Sequence, residues 1–120
     1  VVVIDGDGSL LMNPGTLATA AAAAPRNLTI IAIDNGAYGS TGNQPTLAGT
    51  CVDLEKVAQG FGLRNRVKVS SEAQIVEVMR KSPEGLRFMH VLAIPGNRDV
   101  PNIPIHHLDI KKQVQAFLQA

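Results

Sequence analysis

Cysteine is almost missing from this chain: Cys51 stands alone. One thiol excludes an intramolecular disulfide and fits a reducing, cytoplasmic setting. Cys51 lies in Gly-Thr-Cys-Val-Asp-Leu with no histidine near it in sequence, so it reads as a small structural residue and not a nucleophile. Tryptophan is absent, and one Tyr and three Phe offer no platform for stacking bases. Charge of one sign is also lacking. Eleven Lys and Arg face ten Asp and Glu, a formal net charge of +1, which gives no electrostatic case for nucleic acid. The small basic run Arg64, Arg66 and Lys68 reads as a solvated loop. No stretch approaches the roughly 18–20 continuous apolar residues of a membrane span. The opening Val1–Ile4 lacks the basic flank of a signal peptide. A start in mid-strand instead predicts that further protein precedes it. Three histidines without clustered cysteines do not make a zinc site.

What is there is a globular composition, 45% hydrophobic and 18% charged, in a length that predicts one domain over 1–120. Val1–Ile4 is a continuous β-branched run, expected as a strand buried on both faces of a parallel sheet. Asn13-Pro14 reads as a helix start, with Asn as cap, an alanine-rich body from Leu17 to Ala24 and Pro25 as the stop. Leu28–Ile33 predicts a second buried strand. Residues 36–50 form a long Gly/Ser/Thr/Asn loop without periodicity, and such loops are usually functional. Asp53 predicts a cap for a helix burying Leu54, Val57, Ala58 and Phe61, and ending at Gly60 or Gly62.

A strand is expected over 66–70, then a helix opened by a Ser71/Gln74 capping box with Ile75, Val76, Val78 and Met79 on its apolar side. Arg87–Ile94 predicts another strand holding His90 as a core or edge side chain, closed by Pro95-Gly96. An irregular, proline-rich stretch follows. A final helix over 109–119 is expected to turn Ile110, Val114, Phe117 and Leu118 inward, with His106 and His107 at its entry. Strands alternating with helices imply an α/β fold: an open, mainly parallel sheet with helices on both faces.

Two turns carry the functional signal. Gly6-Asp7-Gly8-Ser9 follows the first strand, and Asp34-Asn35-Gly36-Ala37 follows the second. In open parallel sheets ligands bind at the carboxyl ends of strands. If the two strands are neighbours, Asp7, Asn35 and the amides of Gly8 and Ser9 meet on one edge. A charged oxygen, a neutral oxygen and glycines that admit close backbone approach suit a divalent cation with a diphosphate.

That pattern, with 26 residues between Gly8 and Asn35, resembles the diphosphate-binding motif of thiamine-diphosphate-dependent enzymes. The resemblance implies Mg²⁺ held by Asp7, the Asn35 side chain and the Ala37 carbonyl. It also implies diphosphate contacts from Gly6, Gly8 and Ser9, with Tyr38, Gly39 and Ser40 assisting. Asp34 stands where many members have Asn, and it is not assigned as a ligand. Within the family, the likeness extends over GDGSLLMNPGTLAT, IDNGAYGSTGNQPT and VDLEKVAQGFG to sulfopyruvate decarboxylase β chains and the equivalent half of phosphonopyruvate decarboxylases.

It implies a carboxy-lyase acting on a small 2-oxo acid. Sulfopyruvate, on the coenzyme M route, is favoured and phosphonopyruvate is the alternative. Asn43 leans toward the former, and Asn43 and Gln44 are the expected substrate contacts. No activating glutamate is found: Glu55, Glu72, Glu77 and Glu84 read as surface carboxylates. The resemblance therefore implies half of an active site, completed by an α subunit with a pyrimidine-binding domain in a hetero-oligomer. Rivals are a regulatory subunit that binds cofactor without activity, and a receiver-like module. The latter is disfavoured because no suitable lysine follows residues 90–94.

Overall fold

The structure, a computed structural model, describes residues 1–82, 84–96, 101 and 103–119. Four parallel strands make the sheet: β1 (Val2–Gly6), β2 (Thr29–Asp34), β5 (Asn65–Val69) and β6 (Arg87–Leu92), in the order β1-β2-β6-β5. Two two-residue strands, β3 (Ala37–Tyr38) and β4 (Gln44–Pro45), form a separate antiparallel hairpin. The helices are α1 (Asp7–Met12), α2 (Gly15–Ala23), α3 (Leu54–Gly60), α4 (Glu72–Arg80) and α5 (His107–Gln119). The expected α/β class, with a mainly parallel sheet, is what the chain adopts.

Strand alternation divides the core in two, because neighbouring residues on a strand point to opposite faces. Ile30 and Ala32 of β2 and Phe88 of β6 face α1, α2 and α3, meeting Leu10, Leu17, Leu54, Ala58 and Leu63. Ile31 of β2 and Met89 and Val91 of β6 face the other way with Val69, against Ile75 and Val78 of α4. Helices therefore cover both faces of the sheet. Fully burying a side chain such as Phe88 or Leu54 is worth about 1.5–3 kcal/mol each.

The caps explain where the helices sit. Asp53 accepts from the Glu55 and Lys56 amides at 2.9 and 3.3 Å, as its position before the apolar face predicts. Lys68 reaches the same carboxylate at 2.6 Å and, as the largest influence, holds it below its usual range. Ser71 accepts from the Gln74 amide at 3.4 Å, while Gln74 reaches back to the Ser70 amide at 2.9 Å, one residue short of a full capping box. The far end of α4 is closed by buried Arg87, whose guanidinium donates to the Val78 and Lys81 carbonyls at 2.8 and 2.6 Å.

Several expectations are corrected. A helix begins directly at Asp7, whereas the sequence pattern placed the first start at Asn13. The second starts at Gly15 behind Pro14, and Asn13 contributes its carbonyl to Thr16 instead of a side-chain cap. Val1–Ile4 is exposed and not buried: β1 is an edge strand whose side chains join neither core cluster. Val76 and Met79 of α4 are exposed; the helix buries its Ile75/Val78 side alone. Arg66 and Lys68 lie on β5 and not in a loop; Arg66 donates to the Leu63 and Arg64 carbonyls. Cys51 is exposed and so fills no core position.

The last helix forms, but Ile110, Val114, Phe117 and Leu118 do not turn inward: all are exposed, Phe117 by 79%. This apolar stripe joins neither of the two core clusters. At its entry, the Leu108 amide donates to His106 Nδ1 at 3.3 Å, and the two histidine rings lie 4.2 Å apart. The irregular stretch before α5 lies partly outside the described residues.

Candidate functional site

Register decides whether the two turns meet. β1 and β2 are adjacent and parallel, with Gly6 opposite Ile33. Asp7 and Asn35 thus leave neighbouring strands at the same carboxyl edge. Between them opens a cleft of about 320 Å³ lined by Gly6, Asp7, Gly8, Ser9, Ile33, Asn35, Ala37, Tyr38, Gly39 and Ser40. Every residue expected to contact the cofactor is on that wall. Ile33 is the one addition, an apolar wall residue indistinguishable in sequence from the rest of its strand.

The floor of the cleft is the first turn of α1. Amides in a first helical turn have no intrahelical acceptor, and no side chain caps this end. Gly8 sits under the Tyr38 ring: a Cβ there would fall 2.3 Å from Cε1. Nothing larger than hydrogen fits at position 8 while the tyrosine keeps this place. Tyr38 is held there by the β3–β4 hairpin, which pairs it with Gln44.

Asp7 is the unusual member. Its side chain is 2% exposed, and the Thr46 hydroxyl donates to Oδ2. Among the described residues that is its only hydrogen-bond donor, and no Lys, Arg or His pairs with it. A buried carboxylate without a counter-charge is costly. A cation in the cleft would supply that charge. Thr46 arrives from 39 residues away because its own amide donates to the Gly36 carbonyl at 2.9 Å, folding the long loop back over the turn. The sequence marks Thr46 only as one polar residue in a polar loop.

The second turn is pinned by its own side chains. Asn35 Oδ1 accepts from the Ala37 amide at 3.0 Å, and Asp34 Oδ1 accepts from the Gly36 amide at 3.1 Å. Gly36 has φ +68°, the left-handed conformation that favours glycine, and its backbone packs against Gly49. Asp34 is also buried, with Oδ2 2.7 Å from His90 Nε2. The sequence offered one sign of this contact, an ionisable residue inside an otherwise apolar strand.

Asn43 and Gln44, the expected substrate contacts, do not line the cleft. Asn43 takes a left-handed φ of 57° at the hairpin turn, and Gln44 Oε1 accepts from the Thr41 hydroxyl at 3.0 Å. Both are exposed and shape the hairpin. Glu55, Glu72, Glu77 and Glu84 are likewise absent from the wall. Among the described residues no three His, Cys, Asp or Glu side chains gather to hold a metal, and no helix is long and apolar enough to cross a membrane.

The chain is similar in sequence and in fold to known proteins. The chain is 48% identical over 120 residues to a protein named sulfopyruvate decarboxylase from Methanosarcina acetivorans, covering 98% of this chain and 31% of that one. It is 41% identical over 113 residues to sulfopyruvate decarboxylase subunit beta from Methanococcus maripaludis, covering 92% and 60%. A phosphonopyruvate decarboxylase from Streptomyces viridochromogenes is 36% identical over 121 residues, covering 98% and 30%. The chain thus spans 30% to 60% of the length of these three relatives. Among solved structures, a Mycobacterium smegmatis protein described as a thiamin diphosphate-dependent enzyme shares the fold. The TM-score is 0.56 at 24% identity, over 80% of this chain and 18% of that one. Residues 1–91 match the family described as thiamine pyrophosphate enzyme, C-terminal TPP binding domain, and it is to this family that the chain belongs.

Proposed function

We propose that this chain is the diphosphate-binding half of a thiamine-diphosphate-dependent 2-oxo-acid decarboxylase, with sulfopyruvate as substrate and sulfoacetaldehyde and CO₂ as products, on the route to coenzyme M. The observation that carries the reading is the buried carboxylate of Asp7, which pairs with no cation among the described residues and lies beside Asn35 and the open first turn of α1.

The donor set fits the group. Mg²⁺ takes a few protein oxygens and fills its octahedron with phosphate oxygens and water. Asp7, the Asn35 carboxamide and the Ala37 carbonyl would supply the protein oxygens. Gly8 and Ser9 amides would receive diphosphate oxygens, with Gly6, Tyr38, Gly39 and Ser40 completing the wall. When bound, the cofactor's thiazolium ring accepts the electron pair released as CO₂ leaves a 2-oxo acid. The task of this chain is to bind: its oxygens would hold the ion that offsets the diphosphate charge, and the first-turn amides of α1 would receive the phosphate oxygens.

The activating carboxylate and the pyrimidine site belong to another part of the assembly, because no glutamate lines this cleft. Relatives named subunit beta imply a second chain. The M. acetivorans relative, of which this chain covers 31%, is long enough to carry both halves in one polypeptide. The matches to phosphonopyruvate decarboxylases keep phosphonopyruvate as the second reading.

The test is calorimetric titration of the full-length protein, together with its pyrimidine-binding half, with thiamine diphosphate and Mg²⁺. The Asp7→Ala form is expected to lose affinity by roughly a hundredfold or more, beyond what outer-shell changes at metal sites cost. Equal binding by both forms would contradict the site. CO₂ release from sulfopyruvate and phosphonopyruvate, compared in the same mixture, decides the substrate.

A further inference from the structure

The pair formed by His90 and Asp34 is not accounted for by the site as described. Resting on the proposed reading of that site, we infer that His90 is a positioning residue: it holds Asp34 so that the following turn presents Asn35, and not Asp34, to the cation.

The argument starts from register. Ala32 of β2 lies opposite His90 of β6, and Lys68 of β5 lies opposite His90 on the other side. Ala32 and Asp34 are two residues apart and share a face. Because Ala32 is small, the imidazole can lean across it, and Nε2 comes to 2.7 Å from Asp34 Oδ2. His90 is 2% exposed and Asp34 is 7% exposed, so neither group can turn to water instead. On its far side, His90 Nδ1 is 3.9 Å from Asp53 Oδ1, beyond hydrogen-bond reach, and Asp53 is itself engaged by Lys68. Among the described residues, Asp34 is thus the one hydrogen-bond partner of the imidazole.

The consequence lies one residue on. Asp34 spends Oδ2 on His90 and Oδ1 on the Gly36 amide. With an oxygen committed on each side, this carboxylate is poorly placed to draw the cation from Asp7 and Asn35, although it adjoins Asn35 in the chain. The Gly36 amide so captured defines the left-handed step that turns Ala37 and the hairpin over the cleft. Releasing His90 frees Oδ2 of Asp34 and removes the contact that steadies the carboxylate against the Gly36 amide, while the Asn35–Ala37 and Thr46–Gly36 bonds remain.

The experiment uses the full-length protein and compares His90→Gln with His90→Met. These side chains are similar in size, but only glutamine can donate to Asp34. Without cofactor, hydrogen exchange at the Gly36 amide is expected to quicken by about tenfold in His90→Met and to stay near the unsubstituted rate in His90→Gln, the scale of one charge-assisted hydrogen bond. The Mg²⁺ concentration needed to retain thiamine diphosphate should rise by a similar factor in His90→Met.

A merely structural histidine would lower the melting temperature of His90→Met without singling out Gly36 or moving the Mg²⁺ requirement, and that result would overturn the inference. Nitrogen NMR of the unsubstituted protein gives an independent reading: a proton on His90 Nε2 supports the inference, and a bare Nε2 overturns it. Should the unsubstituted protein fail to retain thiamine diphosphate, or Asp7→Ala retain it equally, the site reading falls. The Gly36 exchange rates still judge whether His90 holds the turn.

Discussion

The carboxyl edge of β1 and β2 and the C-terminal helix α5 are equally plain in the sequence, yet the chain treats them in opposite ways. At the edge, residues far apart in sequence close on one another: Thr46 on Asp7, His90 on Asp34, Tyr38 on Gly8. In α5, the helical period is present, and Ile110, Val114, Phe117 and Leu118 remain exposed. A periodic pattern specifies an element and the face that wants burial. It does not specify what buries it. A motif split over two strands does more, because its chemistry is satisfied only when the strands are neighbours.

This contrast can be broken, or sharpened, by substitution. The largest stability loss is expected in the core behind the edge: Phe88→Ala should cost about 3–5 kcal/mol in urea unfolding, since the ring is fully buried among Leu17, Leu54 and their neighbours. Gly8→Ala comes next in consequence. The added methyl meets the Tyr38 ring, so cofactor affinity measured by titration should fall by about tenfold or more, on the scale of the 1–3 kcal/mol that overpacking costs.

Asp53→Asn is a smaller change. Asparagine caps a helix as well as aspartate does, so the substitution isolates the charge paired with Lys68. The loss should be below about 1 kcal/mol, because the pair is partly exposed and screened by water. The native state holds this carboxyl below its usual value of 3.8, with the Lys68 hydrogen bond as the main cause. Its contribution is therefore complete above the unfolded-state value and fades as pH falls through the lower folded-state value. Unfolding curves of the two forms should differ at neutral pH and converge in acid. Phe117→Ala is the smallest: with the ring 79% exposed, the change in stability of this domain should stay within about 0.5 kcal/mol. A loss like that of Phe88→Ala would show that α5 is seated in solution.

The same contrast explains what could be read in advance. The strand–helix alternation, the Asp53 cap and the two strand-end turns with Asp7, Gly8, Ser9 and Asn35 were legible because each rests on local chemistry: apolar runs, capping groups, glycines after strands. The wall from Ala37 to Ser40 came only with the family resemblance. The start of α1 at Asp7 was not, because Gly6-Asp7-Gly8 is turn chemistry by composition and becomes helical only when packed beside β2. The exposure of β1 was hidden for a related reason: an apolar run reads the same on an edge strand as on a central one. Thr46 was beyond reach, and His90 showed only as an ionisable residue within a strand, since their roles depend on a loop folding back and on which strand lies next to β2. Asn43 and Gln44 drew attention as neutral donors near the motif, but the hairpin turns them outward.

The most direct test of the central claim is a crystal structure of the full-length protein with its pyrimidine-binding half, thiamine diphosphate and Mg²⁺. The account predicts the ion between Asp7 and Asn35, with oxygens of both at about 2.1 Å and the diphosphate over the first turn of α1. A diphosphate bound elsewhere, or an ion coordinated without Asp7, would contradict it.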